Sequence, residues 1–143
     1  MAEALAEARA AGERDEVPVG AVVVGADGRV LARAGNRTEE LADPTAHAEI
    51  LAIREACALI GAPRLIGAAL HVTLEPCPMC AQAISFARIA RLYWGAGDPK
   101  GGGVEHGPRV LHQPTCHHAP VLYPGIGEAE AAKLLRDFFA ARR

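Results

Sequence analysis

Gly67-Ala68-Ala69-Leu70-His71-Val72-Thr73-Leu74-Glu75-Pro76-Cys77-Pro78-Met79-Cys80 passes from an apolar run, through a turn bracketed by two prolines, into a stretch that resumes helical spacing. Gly67 to Leu74 reads as a strand and Met79 to Ala87 as a helix. Upstream, Ile50, Ile53, Ala56, Cys57 and Ile60 recur at helical spacing, so roughly Ala46 to Leu59 is a helix entered after Asp43-Pro44-Thr45. Before it, Val17 to Val24 and Arg29 to Ala34 form an opening hairpin around Ala26-Asp27-Gly28-Arg29, and Met1 to Glu13 is an amphipathic helix. Gly20, inside the first strand, marks a bulge or a close approach by a ligand. Downstream come a strand from Ile89 to Trp94, a glycine-rich loop from Gly95 to Gly107, a short strand near Val121 and a last helix, Glu128 to Ala140. A mixed five-stranded sheet with helices on both faces, a three-layer α/β/α sandwich, accommodates this order.

Residues 1–143 read as one domain, without repeats or linkers. Half of the residues are hydrophobic but only 4% are aromatic, so Ala, Val, Leu and Ile must build the core. No apolar run approaches the roughly 18 residues of a membrane span, and the acid-bearing start is unlike a signal peptide. Four cysteines without a secretion signal point to a reducing compartment, the cytoplasm, and to metal binding rather than disulfides. The formal net charge of −2 argues against a broad grip on nucleic acid by charge alone. Lys133, Arg136, Arg142 and Arg143, against the single acid Asp137, either complement a helix end or touch RNA.

The chemistry lies in Thr45-Ala46-His47-Ala48-Glu49 and Glu75-Pro76-Cys77-Pro78-Met79-Cys80, each at the start of an expected helix. A helix start offers free N–H groups and the positive end of the dipole, which favour thiolates. Cys77 and Cys80, three positions apart, can share one ion, and His47 completes a three-ligand set. Three protein ligands leave a tetrahedral position open, the mark of catalytic zinc. Zinc brings the pKa of water toward roughly 7. Glu49, two positions after His47, can take that proton and pass it to a ring nitrogen and to departing ammonia. H-x-E combined with P-C-x-x-C is the signature of zinc nucleobase deaminases. A structural zinc site would need a fourth ligand, for which Cys116 with His112, His117 and His118 is the available cluster. That cluster otherwise reads as loop near the substrate groove, as solvated surface or as a second metal site. Cys57 reads as a buried core thiol.

The chain resembles the bacterial tRNA-specific adenosine deaminases, a cytidine-deaminase-like family. Glu16-Val17-Pro18-Val19-Gly20-Ala21-Val22, Gly35-Asn36-Arg37, Asp43 to Ile50, Val72 to Cys80, Gly95 to Lys100 and Leu134 to Phe139 carry the resemblance. It implies hydrolysis of adenosine to inosine at wobble position 34 of a tRNA anticodon stem-loop. It also implies a homodimer with one Zn2+ per subunit and no organic cofactor. His47, Cys77 and Cys80 would be ligands and Glu49 the proton shuttle. Asn36, Val17, Ala48, Asp98, Phe138 and Phe139 would contact substrate: Asn36 at the purine edge, Val17 against the flipped base, Asp98 on the loop backbone, the phenylalanines against flanking nucleotides. Asn36 reads equally as a turn residue, Val17 as strand core, and the Phe pair as helix packing. Two other functions stay open on the sequence: deamination of a free base such as guanine, and a zinc-stabilised RNA-binding module without catalysis.

Overall fold

A computed structural model describes residues 1–143. The chain runs α1 (Ala2–Glu13), β1 (Gly20–Val24), β2 (Val30–Gly35), α2 (Ala48–Ile60), β3 (Ala69–Leu74), α3 (Pro78–Phe86), β4 (Arg91–Ala96), β5 (Val121–Tyr123) and α4 (Glu128–Ala140), with one 3-10 turn at Val110–His112. The strands form a single sheet in the order β2-β1-β3-β4-β5. β1 pairs antiparallel with β2 and β3, whereas β4 is parallel to both β3 and β5. Parallel neighbours need a crossover, and α3 supplies it between β3 and β4. α2 and α3 cover one face, α1 and α4 the other, so the three-layer mixed five-stranded architecture is present.

The core between the sheet and α2/α3 is aliphatic, with Val23, Leu70, Val72, Ile84 and Leu92 packed around Trp94. Ala52, Ala56 and Ala81 have no exposed surface, and their small side chains let the helices lie close to the strands. Aromatics matter little here, as the composition requires.

Two local expectations change. Ladder pairing in β1 begins at Gly20 rather than Val17. Pro18 has no N–H to donate, and the Val19 N–H bonds the Val17 carbonyl at 2.8 Å in a tight turn. Gly20 marks neither a bulge nor a ligand: the β1–β2 irregularity lies between Val23 and Val24. A β-carbon at Gly20 would collide with the Ala4 carbonyl and lie 2.6 Å from Ala8 N. Its missing side chain is what seats α1 on the sheet.

The register sets up the site. Leu74 pairs with Ala96, and the Glu75 N–H bonds the Ala96 carbonyl at 2.8 Å. The segments after β3 and β4 therefore leave the sheet side by side and at one height.

Candidate active site

His47 is the N-cap of α2 and Cys77 the N-cap of α3, each in extended backbone, and Pro78 occupies the first turn of α3. Neither residue spends its side chain on capping, so both remain available to a ligand. His47 Nδ1 lies 3.6 Å from Cys77 Sγ and 3.6 Å from Cys80 Sγ. Zinc bonds of about 2.3 Å to sulfur and 2.0–2.1 Å to nitrogen, at a tetrahedral angle, span about 3.6 Å between donors. The donor set thus fits zinc in kind and in spacing, from one imidazole and two thiols.

The charges agree with that chemistry. Cys77 is pulled down to about 4, chiefly by the hydrogen bond from Cys80, with His47 helping. Cys80 is pushed up, first by the same bond and then by burial. A dication is what allows both thiols to ionise. The hydrogen bond with Cys77 raises His47. Glu49, in the first turn of α2 and only 4% exposed, is raised to about 7, mainly by burial. A carboxyl poised near neutrality suits proton transfer in both directions.

These groups open onto a cavity of about 330 Å³, a size suited to a small ligand or a single extruded base. Val17, Asn36 and Thr38 line one wall, Asp98 and Gly101 the other, and His47, Glu49 and Cys77 the floor. Asn36 Oδ1 accepts the Ala48 N–H at 2.8 Å, which fixes Asn36 to the start of α2 and leaves its amide NH2 for a ligand. Ala48 itself has no exposed surface. Phe138 lines an adjoining depression with Val17 and Thr38. Arg142 lies 3.4 Å over its ring, while the Arg142 guanidinium also pairs with Asp15 at 2.7 Å. Phe139, 48% exposed, does not line that depression and packs edge-on against Phe138 at 5.3 Å between ring centroids. The basic helix end is partly neutralised, since Lys133 pairs with Asp137.

The His112–His118 stretch lies elsewhere. Ser85 Oγ donates to the His118 carbonyl at 2.6 Å and lies 3.4 Å from Cys116 Sγ. His118 Nε2 contacts the Ile89 carbonyl at 2.7 Å. This loop is thus tied to the end of α3, lines no part of the cavity, and gathers no metal cluster. The readings as groove loop and as second metal site both fail because these bonds hold it at the C-terminal end of α3, the opposite end from Cys77. Cys57 is half-buried against the core rather than enclosed, and burial raises its thiol.

Two buried carboxylates carry roles the sequence does not announce. Glu16, 1% exposed, accepts the N–H groups of Glu39 at 3.1 Å and Glu40 at 2.9 Å. Glu75, 2% exposed, accepts those of Asp98 at 3.0 Å, Val104 at 3.1 Å, Glu105 at 3.0 Å and His106 at 3.1 Å. His106 Nδ1 adds a contact at 2.6 Å. Burial pushes Glu75 up, but these donors outweigh it and hold the carboxyl below its ordinary value. Glu75, Glu105 and His106 have a metal-like spacing, yet Glu75 is saturated by N–H groups, so the trio is a structural clasp. The Gly102-Gly103 pair follows from the same wrapping: a β-carbon at Gly103 would lie 2.5 Å from Pro78 N.

Residues 1–96 match the family model for the cytidine and deoxycytidylate deaminase zinc-binding region. The chain is 66% identical to the tRNA-specific adenosine deaminase of Agrobacterium fabrum, over all of this chain and 93% of that one. It superposes with a TM-score of 0.92 on a structure from work on A-to-I editing by tRNA:A34 deaminases at the wobble position of transfer RNA. That match has 67% identity and covers 94% of this chain and 97% of the other. A guanine deaminase from Bacillus subtilis shares 31% identity at a TM-score of 0.67, over 99% and 90% of the two chains.

Proposed function

This chain belongs to the cytidine and deoxycytidylate deaminase zinc-binding family, in its tRNA-specific adenosine deaminase branch, and we propose that it hydrolyses adenosine to inosine at wobble position 34 of a tRNA anticodon stem-loop. The observation that carries the reading is the cluster of His47 Nδ1 with both cysteine sulfurs at 3.6 Å, set in the floor of a base-sized cavity beside buried Glu49.

Zinc held by His47, Cys77 and Cys80, one ion per subunit, would supply Lewis acidity that ionises water near neutral pH. Glu49 carries the protons. It accepts one from the attacking water and delivers it to the purine ring nitrogen, then takes the proton of the new C6 hydroxyl, which becomes the carbonyl, and passes it to the amine that leaves as ammonia. Water and adenosine thus give inosine and ammonia, with no net change at Glu49. Asn36 offers its amide NH2 to the base edge, Val17 packs against the ring, and Asp98, on the other wall, contacts the anticodon loop backbone. Phe138, beside Val17, gives a flanking nucleotide an aromatic face. A base stacked in a helix cannot enter such a cavity, whereas a splayed loop base can. The tRNA substrate places this activity in the cytoplasm; no helix is long and apolar enough to cross a membrane.

The same reading includes a homodimer. Leu59, Ile60, Ile66 and Phe86 are exposed, and Ile60 and Ile66 share a groove of about 380 Å³ with Leu31 and Leu65. Apolar exposure of this kind fits a partner surface; sedimentation of the zinc-loaded protein reads the mass.

Product analysis tests the function. Zinc-loaded protein receives an anticodon stem-loop with adenosine at the wobble position, with free adenosine, guanine and cytidine run in parallel. Inosine is expected in the stem-loop alone. Ammonia from free guanine alone would move the chain to the small-substrate branch represented by the B. subtilis enzyme. Glu49→Ala should keep full zinc content and lose at least about 100-fold in turnover; retained turnover removes Glu49 from the proton path.

A further inference from the structure

The wall carrying Asp98 and Gly101 has no strand or helix of its own between β4 and the 3-10 turn. Its order comes from Glu75. Four backbone N–H groups from positions 98, 104, 105 and 106 converge on that carboxylate, and the Gly103 N–H bonds the Pro76 carbonyl at 2.8 Å. Glu75 in turn directly precedes Pro76 and Cys77, so the wall hangs from the strand end that also carries the floor. Four of the five donors are main chain and present whatever the side chains. The fifth, the His106 ring, is the one contributed by a side chain, and it arrives from outside. Its side chain is 37% exposed and faces a separate depression with Trp94, Glu105 and Glu128, not the base-sized cavity.

We propose that His106 is a positioning residue that sets substrate fit: by hydrogen-bonding Glu75 from the outer side, it holds the Asp98–Gly101 wall at the distance from Val17 and Asn36 at which one base fits. This rests on the deaminase reading for what fills the cavity, but the clasp itself is independent of substrate. His106 touches neither the proposed ligands nor the base, so its loss loosens a wall and leaves the floor intact. A looser wall weakens ground-state and transition-state binding alike, which raises KM and leaves kcat nearly unchanged.

The test uses the zinc-loaded full chain and three proteins: the parent, His106→Ala and His106→Asn, whose side-chain amide restores a donor toward Glu75. Hydrogen exchange is expected to be about tenfold faster at Asp98, Val104, Glu105 and position 106 in His106→Ala, unchanged at Leu70 and Leu92 in the strands, and close to the parent in His106→Asn. With whichever of the four compounds the parent turns over, KM should rise about fivefold in His106→Ala, with kcat within twofold and zinc content full, and His106→Asn should recover most of the loss. Unchanged exchange in the loop overturns the proposal. So does a fall in kcat and thermal stability together with an unchanged KM, which is the pattern of general destabilisation. A parent inert toward the stem-loop counts against the tRNA reading alone, because the exchange comparison needs no substrate.

Discussion

The two walls of the cavity are built by the same device and differ in how firmly it is closed. On one side, Glu16 takes the N–H groups of Glu39 and Glu40 and lies 3.4 Å from the Thr38 hydroxyl, pinning the loop that follows β2 to the segment that precedes β1. On the other, Glu75 takes four N–H groups and an imidazole. In each case a buried anion is neutralised by main-chain dipoles, the arrangement that makes a nest of N–H groups a natural anion site. Asn36 further secures the first wall to α2 through Ala48. The second wall is tied instead by the Gly103 N–H to the Pro76 carbonyl and presses its backbone on Pro78. Order in an irregular loop thus comes from a carboxylate fixed to a strand end, not from the loop's own propensities.

The contrast can be broken hardest at Gly103. Its added β-carbon would sit 2.5 Å from Pro78 N and 2.6 Å from Pro78 Cα, both main-chain atoms that cannot swing aside. Gly103→Ala is expected to lose zinc along with its second wall and about 100-fold or more in kcat/KM, a loss of roughly 3 kcal/mol. Gly101→Ala, whose β-carbon would meet only the Asp98 carboxylate at 3.0 Å, should stay within a few-fold. Metal content and kinetics measured on both proteins decide it; equal behaviour would mean that the Pro78 contact does not matter.

On the first wall, Asn36→Ala removes the acceptor for the Ala48 N–H. A buried donor left unpaired costs about 1–3 kcal/mol, so a fall in Tm of several degrees is expected, together with a large loss of kcat/KM. If activity falls while Tm holds, Asn36 acts on the base alone and contributes nothing to the wall.

The smallest effect sharpens the pairing of the two carboxylates. Burial pushes Glu16 up, but the N–H groups of Glu40 and Glu39, the Thr38 hydroxyl and the Arg14 charge outweigh it and hold its pKa below the ordinary value. A group whose pKa is lower folded than unfolded stabilises fully above the unfolded value, about 4.3 for Glu, and loses that stabilisation as the pH falls through the folded value. Thermal melts from pH 7 to pH 3 should therefore drop more steeply for the parent than for Glu16→Gln, which starts a few degrees lower at neutral pH. Parallel curves would show that the Glu16 charge is not what holds the loop.

The floor was legible in the sequence because its chemistry sits at fixed short spacings. His47 and Glu49 lie two positions apart, Cys77 and Cys80 three, and both pairs fall where a proline-bearing turn meets a helix. The strand and helix order was legible for a similar reason, through periodicity and turn residues, with ends displaced by at most three residues. The clasps were not. Glu16 and Glu75 meet their backbone donors 23 to 31 positions away, and an N–H group is something any residue provides, so no spacing betrays them. The His112–His118 stretch misled because its composition suggested a loop near the substrate groove, while its position is decided by Ser85 and Ile89, neither of which looks functional in sequence.

The sheet's margins have a consequence for how copies of this chain meet one another. An unpaired strand edge is a template on which another molecule can add a strand. Here one margin, β5, is three residues long, and the other, β2, carries the exposed Arg33 paired with Glu3 and ends near an irregular register. Neither margin offers a long, flat, apolar ladder. Crowded solutions of this protein should therefore resist fibrous growth, leaving the exposed Leu59, Ile60 and Phe86 at the ends of α2 and α3 as its apolar contact surface.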